Sequence, residues 1–257
     1  MNCRLQMSFR WVVLCCCCLS LWACQGSPFN QNDTSYRYQQ PSQDGIGKVY
    51  MGREIAQVMG YEGAYWLERP SRELQEHPQL VVDLLDLEPD AIAADIGAGS
   101  GYMTQRLAQA VPNGKVFAVD VQPEMIDLLN QRIVEEDLTA IEPVLGTTAD
   151  PKLPPNSIDL ALMVDAYHEF EYPREMMEHL WTALRPGGQV VLAEYRAENP
   201  LVMIKRLHKM SEAQVKRELT AIGFEWLKTE ESLPQQHLLF FSKPMAAEST
   251  TAPAPTT

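Results

Sequence analysis

The sequence predicts an α/β fold, a mostly parallel seven-stranded sheet with helices on both faces, on three observations. Between residues 91 and 195, apolar blocks of strand length alternate with segments of helical period, the pattern of parallel strands joined by crossover helices. The first of these blocks runs into a glycine-rich turn, "DIGAGSGY", that opens a helix. After the last helical segment, "FEWLKTEESLPQQHLLFFSKP" reads as two strands joined by a proline-containing turn, an antiparallel pair closing one edge.

The elements follow in order. Residues 1–24 carry Arg4 and Arg10 and then "WVVLCCCCLSLWA", too short for a comfortable membrane span but suited to the apolar core of an export signal. "LWAC", ending at Cys24, resembles the bacterial lipobox, although Trp22 departs from its small-residue pattern. The alternatives are a lipoprotein anchored through Cys24, an ordinary signal peptide, and an uncleaved apolar anchor. These readings imply a membrane-associated chain, a cell-envelope lipoprotein or an exported protein, with an anchored form facing inward as the alternative. Residues 25–47 are polar and poor in aliphatics, which predicts a disordered tether. Residues 48–244 form the folded domain, and 245–257, Pro- and Thr-rich, a disordered tail.

Within the domain, residues 49–67 and 71–87 are expected as two helices capping the sheet over 48–88. Strands are expected at 91–96, 115–120, 141–145, 158–164 and 189–195. Helices are expected at 101–110, 123–136, 174–184 and 211–222. Pro123 and Pro173 stand where helix N-termini are expected, and "RPGG" at 185–188 reads as a helix stop followed by a turn.

Composition narrows the chemistry. The chain has 257 residues, 46% of them hydrophobic, and a formal net charge of −13 that opposes a broad nucleic-acid footprint and favours a small-molecule substrate. All six cysteines precede residue 25, so the body has no thiol for a disulfide, a metal or nucleophilic catalysis. The five histidines, His77, His168, His179, His208 and His237, are scattered, and no metal site is expected from their spacing.

A strand, a glycine turn and a helix together place backbone N–H groups and Cβ-free surface at the carboxyl edge of a sheet, where a ligand can approach. The third glycine of Gly97, Gly99 and Gly101 falls one position before that of the dinucleotide fingerprint, where Tyr102 stands instead. "DIGAGSGY" resembles motif I of the class I S-adenosylmethionine-dependent methyltransferases, with Asp95 at the acidic position. "VFAVDVQPEMIDLLNQR", "GTTADPKLPPNSIDLALMVDAYHEF" and "LRPGGQVVLAEY" resemble the family's next segments in the same order, over about residues 91–195.

The resemblance implies a Rossmann-like fold, S-adenosyl-L-methionine as cofactor and methyl transfer to a small-molecule or lipid-like acceptor. It places Asp95, Gly97, Ala98, Gly99, Gly101, Asp120, Val121 and Asp150 at the cofactor. Asp120 would accept from both ribose hydroxyls and Asp150 would meet the adenine amino group. Asp95 has a second reading as a cap of the turn, and Asp120 as a surface carboxylate. "DAYHEF" follows the fourth strand, where the family lines its active-site mouth. His168 is the candidate base or acceptor-orienting group, with Asp165 and Glu169 beside it, against a purely structural reading of His168. Glu194 either faces the site or is a solvated strand end. Tyr61, Tyr65 and Trp66 are either lid or core, and "IKRLHK" at 204–209 is either an anion contact or a solvated face. A different class of function, a membrane-tethered S-adenosylmethionine-binding protein without transferase activity, fits the same motifs.

Overall fold

The computed structural model describes residues 35–245. The chain enters through strands β1 (Tyr36–Tyr38), β2 (Gly45–Tyr50) and β3 (Arg53–Ala56), an antiparallel sheet in the order β1-β2-β3. Three short helices follow, α1 (Ala64–Leu67), α2 (Arg72–Gln75) and α3 (Pro78–Leu84). Then come β4 (Ile92–Ile96), α4 (Tyr102–Ala110), β5 (Lys115–Asp120), α5 (Pro123–Glu136), β6 (Ile141–Leu145) and β7 (Ile158–Val164). The chain ends with α6 (Pro173–Ala183), β8 (Leu184–Tyr195), α7 (Glu212–Ile222), β9 (Glu225–Glu230) and β10 (Gln236–Ser242).

The main sheet has seven strands in the order β6-β5-β4-β7-β8-β10-β9. Its first five strands pair in parallel, and β10 pairs antiparallel with β8 and β9. Strand alternation divides the core between the two faces. Ala94, Ile96, Ala161 and Met163 point to the side covered by α6 and α7, where they meet Met177, Leu180, Val215 and Leu219. Val116, Leu160 and Leu162 point to the other side, against Val82 of α3 and Leu107 of α4. Strand order reverses beside β4, so β4 and β7 leave in opposite directions around one crevice at their carboxyl ends, the place where open α/β sheets bind ligands.

Caps explain the helix limits. Ser211 Oγ accepts from the N–H of Gln214 at the start of α7, and Gly223 ends that helix in the left-handed region. Pro123 and Pro173 occupy the first turns of α5 and α6. The "RPGG" segment is not a turn outside the strand. It lies within β8 as an irregularity, where the partners of β7 jump from Leu184 to Gln189.

The N-terminal expectations need correction. Residues 36–47 are not tether, and 48–88 is not a two-helix cap, because β2 and β3 form a hairpin closed by Met51 and Gly52, both with positive φ. Two such residues make the tight turn whose twist matches a hairpin. These strands are short and poor in aliphatics, and long-range contacts hold them. The Tyr36 hydroxyl donates to Glu175 of α6, and Arg53 pairs with Glu218 of α7. The proposed signal, the first part of the tether and the tail from residue 246 lie outside the described residues. No helix among the described residues is long and apolar enough to cross a membrane.

Candidate active site

A cavity of about 960 Å3 opens at the carboxyl ends of β4, β5 and β7, beneath the N-terminal segment and the loop after β8. Gly97, Gly99, Asp120, Val121, Asp165, His168 and Glu169 line it. The turn after β4 is built from left-handed glycines. Gly97 has a φ of +79°, and a Cβ there would sit 2.8 Å from the Ala166 Cβ. Gly101 has a φ of +84° and would bring a Cβ to 2.6 Å from Leu129 of α5. Gly97 thus lets the turn pass the β7 loop, whereas Gly101 lets α4 start against α5.

The N–H groups of this turn are largely engaged within the protein. Those of Gly97 and Ala98 donate to the carbonyl of Val119, that of Gly101 to Ala98, and that of Gly99 to Asp120 Oδ2 at 2.9 Å. The turn therefore offers a close, Cβ-free surface more than a set of donors for a pyrophosphate. Asp120 ends β5 and also accepts from the N–H of Gln122 through Oδ1 at 2.9 Å. Burial raises its pKa, and these backbone donors partly offset that rise. Each oxygen retains a further lone pair.

Other residues expected at the cofactor stand elsewhere. Asp95 lies behind the turn and accepts from Thr104 Oγ1 at 2.6 Å, tying α4 to β4. Burial pushes its pKa up to about 6. Ala98 packs with Ala118 and Leu129. Asp150 points away from the cavity toward Lys152, 2.7 Å from its Nζ, and His179. Its oxygens are drawn into this local loop, and of this segment it is Thr148 that lines the cavity.

The "DAYHEF" residues converge. Asp165 has a φ of +50° and accepts from Gln236 Nε2 at 2.7 Å through Oδ2, while its buried Oδ1 has no hydrogen-bond partner. Burial and the nearby Glu76 and Glu194 hold its pKa well above the usual carboxylate range. His168 is buried, with Nδ1 2.6 Å from Oε2 of Glu194, itself fully buried. That contact places a proton on Nδ1 and aims Nε2 at His208 Nδ1, 3.2 Å away. Burial alone would lower the His168 pKa, but Glu194's charge and hydrogen bond more than offset it, and the net shift is upward. Glu169 accepts from the N–H of Met59 through Oε2 and turns Oε1 toward both imidazoles.

Sequence reasoning missed the groups brought from elsewhere in the chain. Arg72 and Glu76, paired at 2.6 Å, line the cavity, with the Tyr195 hydroxyl donating to Glu76 at 2.7 Å. Their i,i+4 spacing was the one available signal. Tyr65 and Trp66 are exposed at the cavity rim rather than in the core. The basic run at 204–209 splits up, with Lys205 pairing with Asp44 and His208 turning inward.

The fold defined by this sheet order and crevice is the Rossmann-like fold of class I methyltransferases. Residues 94–190 match the family model described as a methyltransferase domain. An uncharacterized methyltransferase of Mycobacterium tuberculosis is 31% identical over 56% of this chain and 54% of its own length. An uncharacterized 37.1 kDa transposon protein of Streptomyces fradiae is 32% identical over 47% of this chain and 34% of its own. The chain thus spans about a third to about half of the length of these two relatives. Among solved structures, a SAM-dependent methyltransferase from Aquifex aeolicus superposes with a TM-score of 0.69 at 22% identity, over 72% of this chain and all of that one.

Proposed function

We propose that the chain is a class I methyltransferase that uses S-adenosyl-L-methionine and transfers its methyl group to a small-molecule or lipid-like acceptor. The observation that carries this reading is Asp120. It stands at the end of β5 beside the Cβ-free turn, its carboxylate fronts the cavity, and both oxygens keep capacity for donors such as ribose hydroxyls. The Arg72–Glu76 pair adds the mixed charge that suits a ligand with an amino-acid end, and the unpartnered Asp165 Oδ1 adds a further polar atom. The match to a methyltransferase domain supports the same cofactor.

The cofactor supplies a methyl group already activated on a sulfonium, so much of the rate comes from positioning rather than from a strong base. The protein's part is to hold the two reactants in line and to exclude water. Asp165 and His168 line the buried side of the cavity, where they would orient the acceptor, with Glu194 behind His168, and Tyr65 and Trp66 stand at its rim. Any proton leaving the acceptor meets the cluster of His168, Glu169 and His208, in which His168 is held through Nδ1 by Glu194. The chain would work at a membrane, brought there by its N-terminal segment, and loss of fatty-acid labelling on Cys24→Ala tests that location.

Isothermal titration with S-adenosylmethionine and with NAD tests the cofactor. Binding of the first and not the second is expected, and Asp120→Ala is expected to weaken it by about 10- to 100-fold, the scale of hydrogen bonds to a charged group. Affinity unchanged in Asp120→Ala would overturn the assignment.

A further inference from the structure

Three side chains at the acceptor end of the cavity converge from two separate segments. His168 and Glu169 lie on the short helix Tyr167–Glu169, and His208 lies on the short helix Arg206–His208. His168 Nε2 is 3.2 Å from His208 Nδ1, His208 Nδ1 is 3.4 Å from Glu169 Oε1, and His168 Nε2 is 3.8 Å from that same oxygen. A tetrahedral ion with bonds of about 2.0–2.1 Å sets its ligand atoms about 3.4 Å apart. The three atoms therefore stand close to the spacing that such an ion requires.

The geometry points to a site for a divalent cation of the zinc class, held by His168 Nε2, His208 Nδ1 and Glu169 Oε1, with its remaining position open to the cavity. Four further features of these residues fit that occupant. Nδ1 of His168 is held by the buried Glu194, the carboxylate support that ligating imidazoles commonly have. Glu169 is fixed by the Met59 N–H on its other oxygen, which leaves Oε1 to act as a single ligand. The nearby cations are already matched, Arg53 by Glu218 and Lys205 by Asp44. All three candidate ligands line the cavity, with side chains between 2% and 20% exposed, so an ion has both shelter and an entry path.

Three protein ligands and one open position make the arrangement that binds a water or hydroxyl oxygen and lowers its pKa. The acceptor class this implies is one that binds through an oxygen, such as an alcohol or phenol. That last step rests on the methyltransferase reading, whereas the ion site itself does not.

The test uses the full chain, made metal-free, with its N-terminal thiols blocked by iodoacetamide so that they cannot compete for metal. Co2+ is titrated and followed by its visible ligand-field absorption. One equivalent is expected to bind, to be displaced by Zn2+, and to be lost in His208→Ala with its thermal midpoint near that of the wild type. Glu194→Gln is expected to weaken binding by about 10- to 100-fold, as loss of an outer carboxylate does. No cobalt uptake by the wild type, or wild-type affinity in both His208→Ala and Glu169→Ala, would overturn the site. S-adenosylmethionine titrated into the same metal-free samples reports on the cofactor separately, so cobalt binding without cofactor binding would leave the ion site standing and remove the methyltransferase reading.

Discussion

At the ends of neighbouring strands, Asp95 and Asp120 carry the same carboxylate into different surroundings. Asp120 meets two backbone N–H groups and the cavity, whereas Asp95 is sealed behind the turn with Thr104 as its hydrogen-bond donor. The Asp95 pKa of about 6, against an ordinary 3.8, means that the native state holds this proton more tightly than the unfolded chain does. The contribution is favourable at low pH and is lost as pH rises from about 4 through 6. At about 1.36 kcal/mol per pH unit, the ionised residue costs about 3 kcal/mol at neutral pH. Asp95→Asn is therefore expected to gain stability over the wild type by that amount between pH 4 and pH 7, measured by urea unfolding at both values. Parallel curves for the two proteins would refute this account. Gly101 offers a second residue-scale test. Alanine there meets both a left-handed φ and Leu129, so Gly101→Ala should lose about 1–3 kcal/mol in the same assay.

At the scale of elements, the sequence was most legible where periodicity, proline and glycine agreed. The strands ending at Ile96, Asp120 and Val164, and the helices opening at Pro123 and Glu212, stand within a residue or so of where pattern and caps put them. Asp120 and His168 were legible for the same reason, since each closes or follows a strand at the carboxyl edge. The hairpin of β2 and β3 was not, because "KVYMGREIA" carries an alternating pattern too short to outweigh a helical reading, and Met51 is an unusual residue for a left-handed turn position. What holds that hairpin is tertiary. The Arg53–Glu218 pair joins β3 to α7 through two contacts, at 2.7 and 3.1 Å, and the Tyr167 hydroxyl donates to the same carboxylate. No local pattern announces such partners, and the same holds for His208, which reaches His168 from 40 residues away. Glu218→Ala leaves Arg53 as a buried unpaired charge and is expected to cost about 3–5 kcal/mol, read as a fall in the denaturation midpoint.

For the whole molecule, the ligand and the fold are coupled through the cavity, which lies between the main sheet and the N-terminal segment. A ligand that binds the native state alone stabilises it by about 2.7 kcal/mol at a hundredfold excess over its Kd. S-adenosylmethionine at that excess is expected to raise the thermal midpoint, while NAD at equal concentration leaves it unchanged, and scanning calorimetry distinguishes the two. The net charge of −13 sets a further whole-molecule condition, since an anionic ligand must approach against the surface field. Arg53 is where these scales meet. One guanidinium closes the buried pair with Glu218 and donates to the main-chain carbonyl of His168 at 3.1 Å. In many enzymes, mutations that raise activity are selected at the expense of robustness. Here a single side chain anchors both the hairpin and a residue that lines the cavity, so change at position 53 has little room to trade one property for the other.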